Sequence, residues 1–241
     1  MCVIAVATKK IISLKTLREC EAYNSHGGGV AWAEGGKVHY MKGVKSGKIH
    51  EVLKNVPLPH VVHFRWATVG SVQKEYCHPF VIKKSVPNFT KGSTNESVLF
   101  HNGTIDGIEF YAYLAGAKAP EGWSDSKLAA KLVAIRGPKI LSQVSAWSRT
   151  DGFPNKFAVM KKTGSVKLYG EYKEKNGVLF SNMRWVSGVR SGITLTSKSG
   201  RVGSTNVAKY QQEWWKTDTD ESEALDRLTA KDTAARLRAM D

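Results

Sequence analysis

The second residue of this chain combines two groups that could do chemistry together. Cys2 follows the start methionine at the head of the apolar run MCVIAVAT, residues 1–8. If Met1 is removed, Cys2 carries a free α-amino group with an unperturbed pKa of ~7.7–8.0, which suits a base near neutral pH, beside a thiol that is a strong nucleophile. The alternative interpretation is that Cys2 is a small apolar residue of a buried strand.

A second candidate group is an arginine at the end of a predicted strand, in the segment HFRWATVG, residues 63–70. Arg65 precedes a threonine and a glycine-containing loop. A guanidinium held at such a position can bind a carboxylate through two parallel hydrogen bonds. The alternative is a surface arginine at a strand edge.

Two further segments place polar groups at the ends of predicted elements. Asn102 and Gly103 follow the apolar strand of SVLFHNG, so a side-chain amide and a backbone N–H could both donate to one developing oxyanion. An ordinary Asn-Gly turn is the alternative. Asp125 begins the predicted helix of SDSKLAAKL, where its carboxylate could bind a substrate ammonium or cap the helix.

The elements that must position these groups follow from hydrophobic periodicity. Strands are predicted over 2–8, in a hairpin over 27–43, at 60–70 and at 97–103, and three more over 156–182 are joined by turns at Thr163-Gly164 and Asn176-Gly177. Helices are predicted over 13–25, 47–56, 106–116, 124–137 and 139–147. Because strands flank a helical middle, the sequence predicts an α+β fold instead of an alternating parallel sheet.

The composition is typical of a folded protein of a reducing compartment. Hydrophobic residues make up 41% of the chain, which is enough for a core. The cysteines are few, and their number, three, is odd, which argues against a disulfide framework. Lys9 and Lys10 interrupt the first apolar run, so we expect no signal peptide, and no run is long enough for a membrane span. We therefore predict a cytoplasmic protein without a membrane partner.

The charge of the chain is unevenly distributed. The formal net charge is +15, and residues 213–241 carry eight acidic and five basic side chains, which leaves +18 on residues 1–212. A basic body suits a polyanion or an acidic protein partner, or is simply a charged surface. We expect the main domain over 1–186, a Ser/Gly-rich basic loop or linker over 187–212 and an acidic, helical tail over 213–241.

Taken in order, these segments resemble the class II glutamine amidotransferases of the N-terminal-nucleophile hydrolase superfamily. The resemblance covers about residues 2–185 and includes the family's processed N-terminal cysteine. The other matching motifs are Arg65–Gly70, Cys77–Phe80, His101–Ile105 and Ser124–Ser126, together with the Gly-rich segment HGGGVAW at 26–32. The chain departs from many members at Val3, where they have glycine, and at Val69, where they have histidine.

The resemblance implies a fold and a reaction. The fold is a four-layer αββα sandwich, with two stacked, mainly antiparallel sheets between helical layers. The reaction is hydrolysis of L-glutamine to glutamate and ammonia through a thioester on Cys2, with the oxyanion held by Asn102 and Gly103. No cofactor and no metal is implied.

The resemblance also assigns the substrate-binding residues. Arg65 would hold the α-carboxylate of glutamine and Asp125 its α-ammonium. Trp66, Thr68 and His78 belong to the same implied set, with Thr68 and the loop to His78 closing over the bound amino acid.

The sequence leaves the partners open, and it allows two alternative functions. Ammonia would pass to a separate synthetase or nucleotide-modifying enzyme, and the basic body leaves nucleic acid open as a further partner. One alternative function is an N-terminal-nucleophile amidase with another substrate, and another is a catalytically silent basic binding protein on the same fold. Arg65 and Asp125 favour glutamine, because together they fit the head group of an amino acid.

Overall fold

The computed structural model describes residues 2–67, 72–117, 122–146 and 154–187, which form two antiparallel sheets and five α-helices. The strands are β1 (Val3–Ala7), β2 (Gly28–Glu34), β3 (Lys37–Val44), β4 (His60–Phe64), β5 (Phe80–Val81), β6 (Lys91–Thr94), β7 (Val98–Asn102), β8 (Lys156–Met160), β9 (Val166–Tyr169), β10 (Lys173–Lys175) and β11 (Val178–Phe180). The α-helices are α1 (Leu14–Tyr23), α2 (Ser46–Asn55), α3 (Ile108–Leu114), α4 (Asp125–Arg136) and α5 (Ile140–Ala146), and short 3₁₀ helices cover Lys74–Tyr76 and Arg184–Ser187.

The strand that carries Cys2 lies inside the larger sheet. That sheet has the order β10-β11-β1-β4-β2-β3-β6, and the smaller sheet has the order β5-β7-β8-β9. β1 runs antiparallel to β4, with Val3 opposite Phe64. The start of β1 therefore lies beside the end of β4, which brings Cys2 and Arg65 to the same end of two neighbouring central strands.

Three apolar clusters separate the layers of the fold. One cluster lies between the larger sheet and helices α1 and α2, a second lies between the two sheets, and a third lies between the smaller sheet and helices α3 to α5. Alternate residues of β1 point into different clusters, with Val3 and Ala5 in the first and Ile4 and Val6 in the second. This explains the unbroken apolar run of β1 and confirms the predicted αββα sandwich.

The first helix begins at a side-chain cap. Ser13 precedes α1 in an extended conformation, and its hydroxyl accepts a hydrogen bond from the backbone N–H of Thr16 at 3.2 Å. Such a bond satisfies one of the backbone donors that have no partner at a helix start. The helix predicted over 13–25 is therefore confirmed, and Ser13 is its cap.

We expect Ser13→Ala to lower the free energy of unfolding by about 1 kcal/mol, because the N–H of Thr16 then loses its side-chain acceptor. Urea unfolding of the purified protein measures this change. Ser13→Asp keeps an acceptor at the same position and is the matched control. Equal losses in the two variants would contradict a capping role.

The predicted end of the domain needs one correction. Residues 156–182 form four strands where three are predicted, and they are divided between the sheets: β8 and β9 belong to the smaller sheet, β10 and β11 to the larger. The chain crosses between the sheets after Gly170, which has a φ of +83°. The turns at Gly164 and Gly177 are confirmed, both with positive φ.

The predicted linker and tail fall almost wholly on residues that the structure does not describe. Residues 188–241 lie outside the described residues, so the predicted boundaries at 186 and 212 stay predictions, as does the helical tail. Among the helices that the structure describes, none has both the length and the apolar character required to cross a bilayer.

Candidate active site

A cavity lies where β1, β4, β7 and helix α4 meet, and most of the predicted site residues line it. Cys2, Arg65, Gly103 and Asp125 all line it, although they come from four distant parts of the sequence. The remaining lining residues are Trp66, Ala67, Tyr76, His78, His101, Thr104, Ser124 and Ser126. The topology therefore places a thiol, a guanidinium and a carboxylate around one space.

Cys2 is fixed by contacts to its main chain and to its sulfur. The backbone N–H of Trp66 lies 3.4 Å from Cys2 Sγ, and Asn182 Nδ2 donates a 2.7 Å hydrogen bond to the Cys2 carbonyl oxygen. Burial raises the pKa of the Cys2 thiol, and the contact with the Trp66 backbone opposes this shift in part. At neutral pH the sulfur is therefore protonated, and a nucleophilic role requires a base within reach.

Two backbone hydrogen bonds fix the main chain of Arg65. Its backbone N–H donates to the Gly27 carbonyl at 2.9 Å, and its backbone carbonyl accepts from the His26 N–H at 3.0 Å. The residue is only 5% exposed, and its guanidinium carbon lies 6.0 Å from the centre of the Tyr76 ring. The alternative of a surface arginine is wrong, because Arg65 is buried at the wall of the cavity.

Asp125 is the first residue of α4 and is oriented by two backbone donors. The N–H of Ile105 donates to Oδ2 at 3.0 Å, and the N–H of Ser126 donates to Oδ1 at 2.7 Å. The cap of α4 is Ser124, whose hydroxyl accepts from the N–H of Lys127 at 3.2 Å. Asp125 is therefore not the capping residue, and its side chain remains 24% exposed at the cavity.

His101 is a cavity residue to which sequence reasoning gave no separate role, although it stands in the matched His-Asn-Gly motif. Its Nε2 lies 2.9 Å from Asn155 Oδ1 and its Nδ1 lies 2.8 Å from the Ser126 hydroxyl. Burial lowers the pKa of His101, so the ring is neutral. Nε2 then carries the proton toward Asn155, and Nδ1 accepts from Ser126.

Asn102 and Gly103 occupy different positions relative to the cavity. Gly103 lines it with a φ of +148°, whereas Asn102 is buried and does not belong to the lining. Asn102 Nδ2 donates to the Ser181 hydroxyl at 2.9 Å. Asn102 Oδ1 is buried and makes no hydrogen bond to the described part of the chain.

The segment between Arg65 and His78 is anchored at both ends. Trp66 stacks on His26 with ring centres 4.4 Å apart, and the N–H of Ala67 donates to His26 Nδ1 at 2.9 Å. His78 packs against His63, with ring centres 4.0 Å apart, and burial holds the pKa of His78 well below its ordinary value. Thr68 lies outside the described residues, so its predicted role stays a prediction.

Within 2–67, 72–117, 122–146 and 154–187, no group of three or more histidine, cysteine, aspartate or glutamate side chains is arranged to hold a metal ion.

Comparison with known proteins gives one family and several more distant similarities. A family model described as glutamine amidotransferases class-II matches residues 1–137, a range that contains Cys2, Arg65, Asn102, Gly103 and Asp125. An amidophosphoribosyltransferase of Methanocaldococcus jannaschii is 32% identical over 85 residues, which are 33% of this chain and 16% of that protein.

Two solved structures are similar at low identity. One is the glutamine phosphoribosylpyrophosphate amidotransferase of B. subtilis complexed with ADP and GMP, with a TM-score of 0.47, 14% identity, and coverage of 75% of this chain and 41% of that one. The other is an allosteric regulatory enzyme of purine biosynthesis, with a TM-score of 0.44, 17% identity, and coverage of 67% and 36%. This chain thus matches less than half the length of each protein named.

Proposed function

Because this chain belongs to the class II glutamine amidotransferase family, we propose that it hydrolyses L-glutamine to glutamate and ammonia through a thioester on Cys2. The observation that carries the proposal is the lining of one cavity. A thiol that could attack an amide faces the same space as a guanidinium and a carboxylate, from Arg65 and Asp125. The thiol could react with the side-chain amide of glutamine, while the guanidinium and the carboxylate could bind its α-carboxylate and its α-ammonium.

The two charged residues suit the head group of a free amino acid. Arg65 would receive the α-carboxylate, since its guanidinium can donate two parallel hydrogen bonds. Asp125 would receive the α-ammonium, because backbone donors already fix the position of both its oxygens. Opposite charges at two fixed points would align the substrate and favour glutamine over a glutamine residue within a peptide.

The reaction needs a base for the Cys2 proton, and we propose the α-amino group of Cys2, freed by removal of Met1. The cavity histidines are poor candidates. His101 uses both ring nitrogens in hydrogen bonds to Asn155 and Ser126, and burial keeps the pKa of His78 far below neutrality. The amine, by contrast, has an unperturbed pKa of ~7.7–8.0 and sits on the same residue as the thiol.

The reaction would proceed through acylation of Cys2 and hydrolysis of the resulting thioester. The amine takes the thiol proton, the sulfur attacks the side-chain carbonyl carbon of glutamine, and the carbonyl oxygen becomes an oxyanion. The N–H of Gly103 and the amide of Asn102 would donate to that oxyanion. Ammonia leaves with the proton from the amine, and water hydrolyses the thioester to release glutamate and restore the thiol.

The ammonia would be consumed by a partner enzyme. We propose a synthetase or nucleotide-modifying enzyme as the acceptor, in line with the family and with the similarity to an amidophosphoribosyltransferase. The thiols of Cys2, Cys20 and Cys77 are all free, which suits a reducing compartment such as the cytoplasm, where we propose that the chain acts.

Two measurements on the full chain test the proposed function. Intact mass should show the loss of Met1, and the processed protein should release glutamate from L-glutamine. A processed protein that releases no glutamate would contradict the proposal. Binding to DNA that persisted at high salt would then favour the basic binding protein, because simple charge attraction weakens as salt rises.

We expect Arg65→Ala to raise KM for glutamine by about 100-fold, because a charge-assisted hydrogen-bond pair to the α-carboxylate is lost. Steady-state kinetics with glutamine measures this effect. Arg18→Ala removes a positive charge from an exposed position on α1 and is the matched control, with KM unchanged. A second substrate, glutamine with its α-carboxylate converted to an amide, should be used equally by wild type and Arg65→Ala. A variant that still discriminated between the two substrates would contradict the carboxylate assignment.

A further inference from the structure

Ser181 is hydrogen-bonded both to β1, the strand that follows Cys2, and to the side chain of Asn102 at the end of β7. At the end of β11, the N–H of Ser181 donates to the Ile4 carbonyl at 2.9 Å, and the N–H of Ile4 donates to the Ser181 hydroxyl at 2.9 Å. These bonds extend the β1–β11 pairing beyond the Ala5–Phe180 pair by one residue. The hydroxyl takes the place that a backbone carbonyl would have in the ladder.

The carbonyl of Ser181 is used elsewhere. It accepts a 2.7 Å hydrogen bond from Lys156 Nζ, while the hydroxyl accepts a second bond, at 2.9 Å, from Asn102 Nδ2. Asn102 and Lys156 are directly opposite each other on β7 and β8 of the smaller sheet. Ser181 therefore connects the two sheets at the point where the candidate active site lies between them.

The next residue fixes the nucleophile itself. Asn182 Nδ2 donates to the Cys2 carbonyl at 2.7 Å, so two consecutive residues hold the main chain of Cys2 and the side chain of Asn102. Ser181 is 1% exposed, so no solvent molecule replaces its hydroxyl readily.

We propose that Ser181 is a positioning residue for glutamine hydrolysis, which holds the Asn102 carboxamide at a fixed place relative to Cys2. The proposal rests on the proposed function. The two acceptor sites of the hydroxyl are filled by the N–H of Ile4 and by one N–H of Asn102. The second hydrogen on Asn102 Nδ2 is then left for the oxyanion, and its direction is set by the bond to Ser181.

Ser181→Ala tests this role through separate effects on kcat and KM. We expect kcat to fall by roughly 10- to 100-fold, because a donor that is only misplaced costs less than a donor that is removed, and KM to change by less than about 3-fold. Ser46→Ala is the matched control, since it removes another buried hydroxyl, which donates a hydrogen bond to Glu21 from the start of helix α2, and it should leave kcat unchanged. A Ser181→Ala enzyme with wild-type kcat would overturn the inference.

A double-mutant cycle shows whether Ser181 acts through Asn102. Asn102→Ala alone should lower kcat by roughly 100- to 1,000-fold, and adding Ser181→Ala should lower it by less than about 3-fold more. Effects that multiply in the double variant would overturn the inference, because Ser181 would then act independently of Asn102.

A structural readout separates this inference from the proposed function. In the NMR spectrum of isotope-labelled protein, the side-chain amide signal of Asn102 is the one lost in Asn102→Ala. It should shift in Ser181→Ala and not in Ser46→Ala. A wild-type protein that releases no glutamate overturns the proposed function and with it the positioning role of Ser181, whereas an unmoved amide signal in an active enzyme overturns the Ser181 contact alone.

Discussion

Replacing Cys2 with alanine is expected to reduce glutamate release from L-glutamine by at least about 1,000-fold, because removing the nucleophile removes the covalent route. The structure describes all three cysteines, and of these Cys2 lines the candidate active site. The main chain of the variant keeps its hydrogen bond to Asn182, and β1 keeps its pairing with β4 and β11. The fold should therefore be preserved, and thermal unfolding should show nearly the wild-type midpoint.

The matched control is another cysteine to alanine. Cys20 is buried in the apolar cluster between the larger sheet and α1, so Cys20→Ala should keep the wild-type rate of glutamate release. Cys77 is a weaker candidate nucleophile, since burial raises the pKa of its thiol to about 11 and it does not line the cavity.

Processing must be measured in each variant. A chain that retains Met1 has an amide where the base should be, and we expect it to be inactive whatever residue stands at position 2. The comparison is therefore made between proteins whose intact mass shows the loss of Met1. Glutamate release by a processed Cys2→Ala protein would contradict the thioester mechanism.

The part of the fold that is fixed by local physics was predictable from sequence. The unbroken apolar run of β1 predicts a strand buried on both faces, and the structure places its alternate residues in two different apolar clusters. The helix after Ser13 and the hairpin turn at Gly35-Gly36 follow in the same way from capping and turn chemistry. The stacking of two sheets came only from the family resemblance, because periodicity does not say which strands pair.

The division of the last strands was not predictable. β9 and β10 are separated by three residues but belong to different sheets, and nothing in the local sequence distinguishes this crossing from an ordinary hairpin. The positive φ of Gly170 allows the crossing without requiring it. A pairing partner that is distant in sequence decides the outcome, because β11 pairs with β1 and β10 joins the larger sheet through β11.

The candidate site also contains residues that the sequence predicts and residues that only the structure reveals. Cys2, Arg65, Gly103 and Asp125 could be named from motifs, because each carries a group with recognisable chemistry. Ser181 could not, since its contact with Asn102 spans 79 positions along the chain and a serine after a strand carries no signal of its own. The orientation of such a site depends on buried polar contacts between sheets, and these become visible only in three dimensions.

The second large effect is expected at Gly103. Gly103→Ala should lower the free energy of unfolding by about 3 kcal/mol and should also lower kcat, because the new side chain meets a buried neighbour. A Cβ at this position would lie 2.3 Å from Asn155 Oδ1 and 3.0 Å from Asn155 Cα, at a φ of +148° that side chains rarely adopt. Relief requires Asn155 or the Gly103 backbone to move. The first change disturbs the 2.9 Å contact of Asn155 with His101, and the second moves the N–H proposed for the oxyanion.

Gly107→Ala separates the clash from backbone strain. Gly107 also has a positive φ, of +69°, but a Cβ there would meet no atom within 4 Å. We expect this variant to lose only about 1 kcal/mol of unfolding free energy, which is the cost of a left-handed conformation for a residue with a side chain. Urea unfolding of both variants measures the difference, and equal losses would show that the contact with Asn155 does not constrain Gly103. A larger loss at Gly103 would mean that the glycine is required by its buried neighbour as well as by its backbone conformation, so that packing behind the cavity fixes the position of the proposed oxyanion donor.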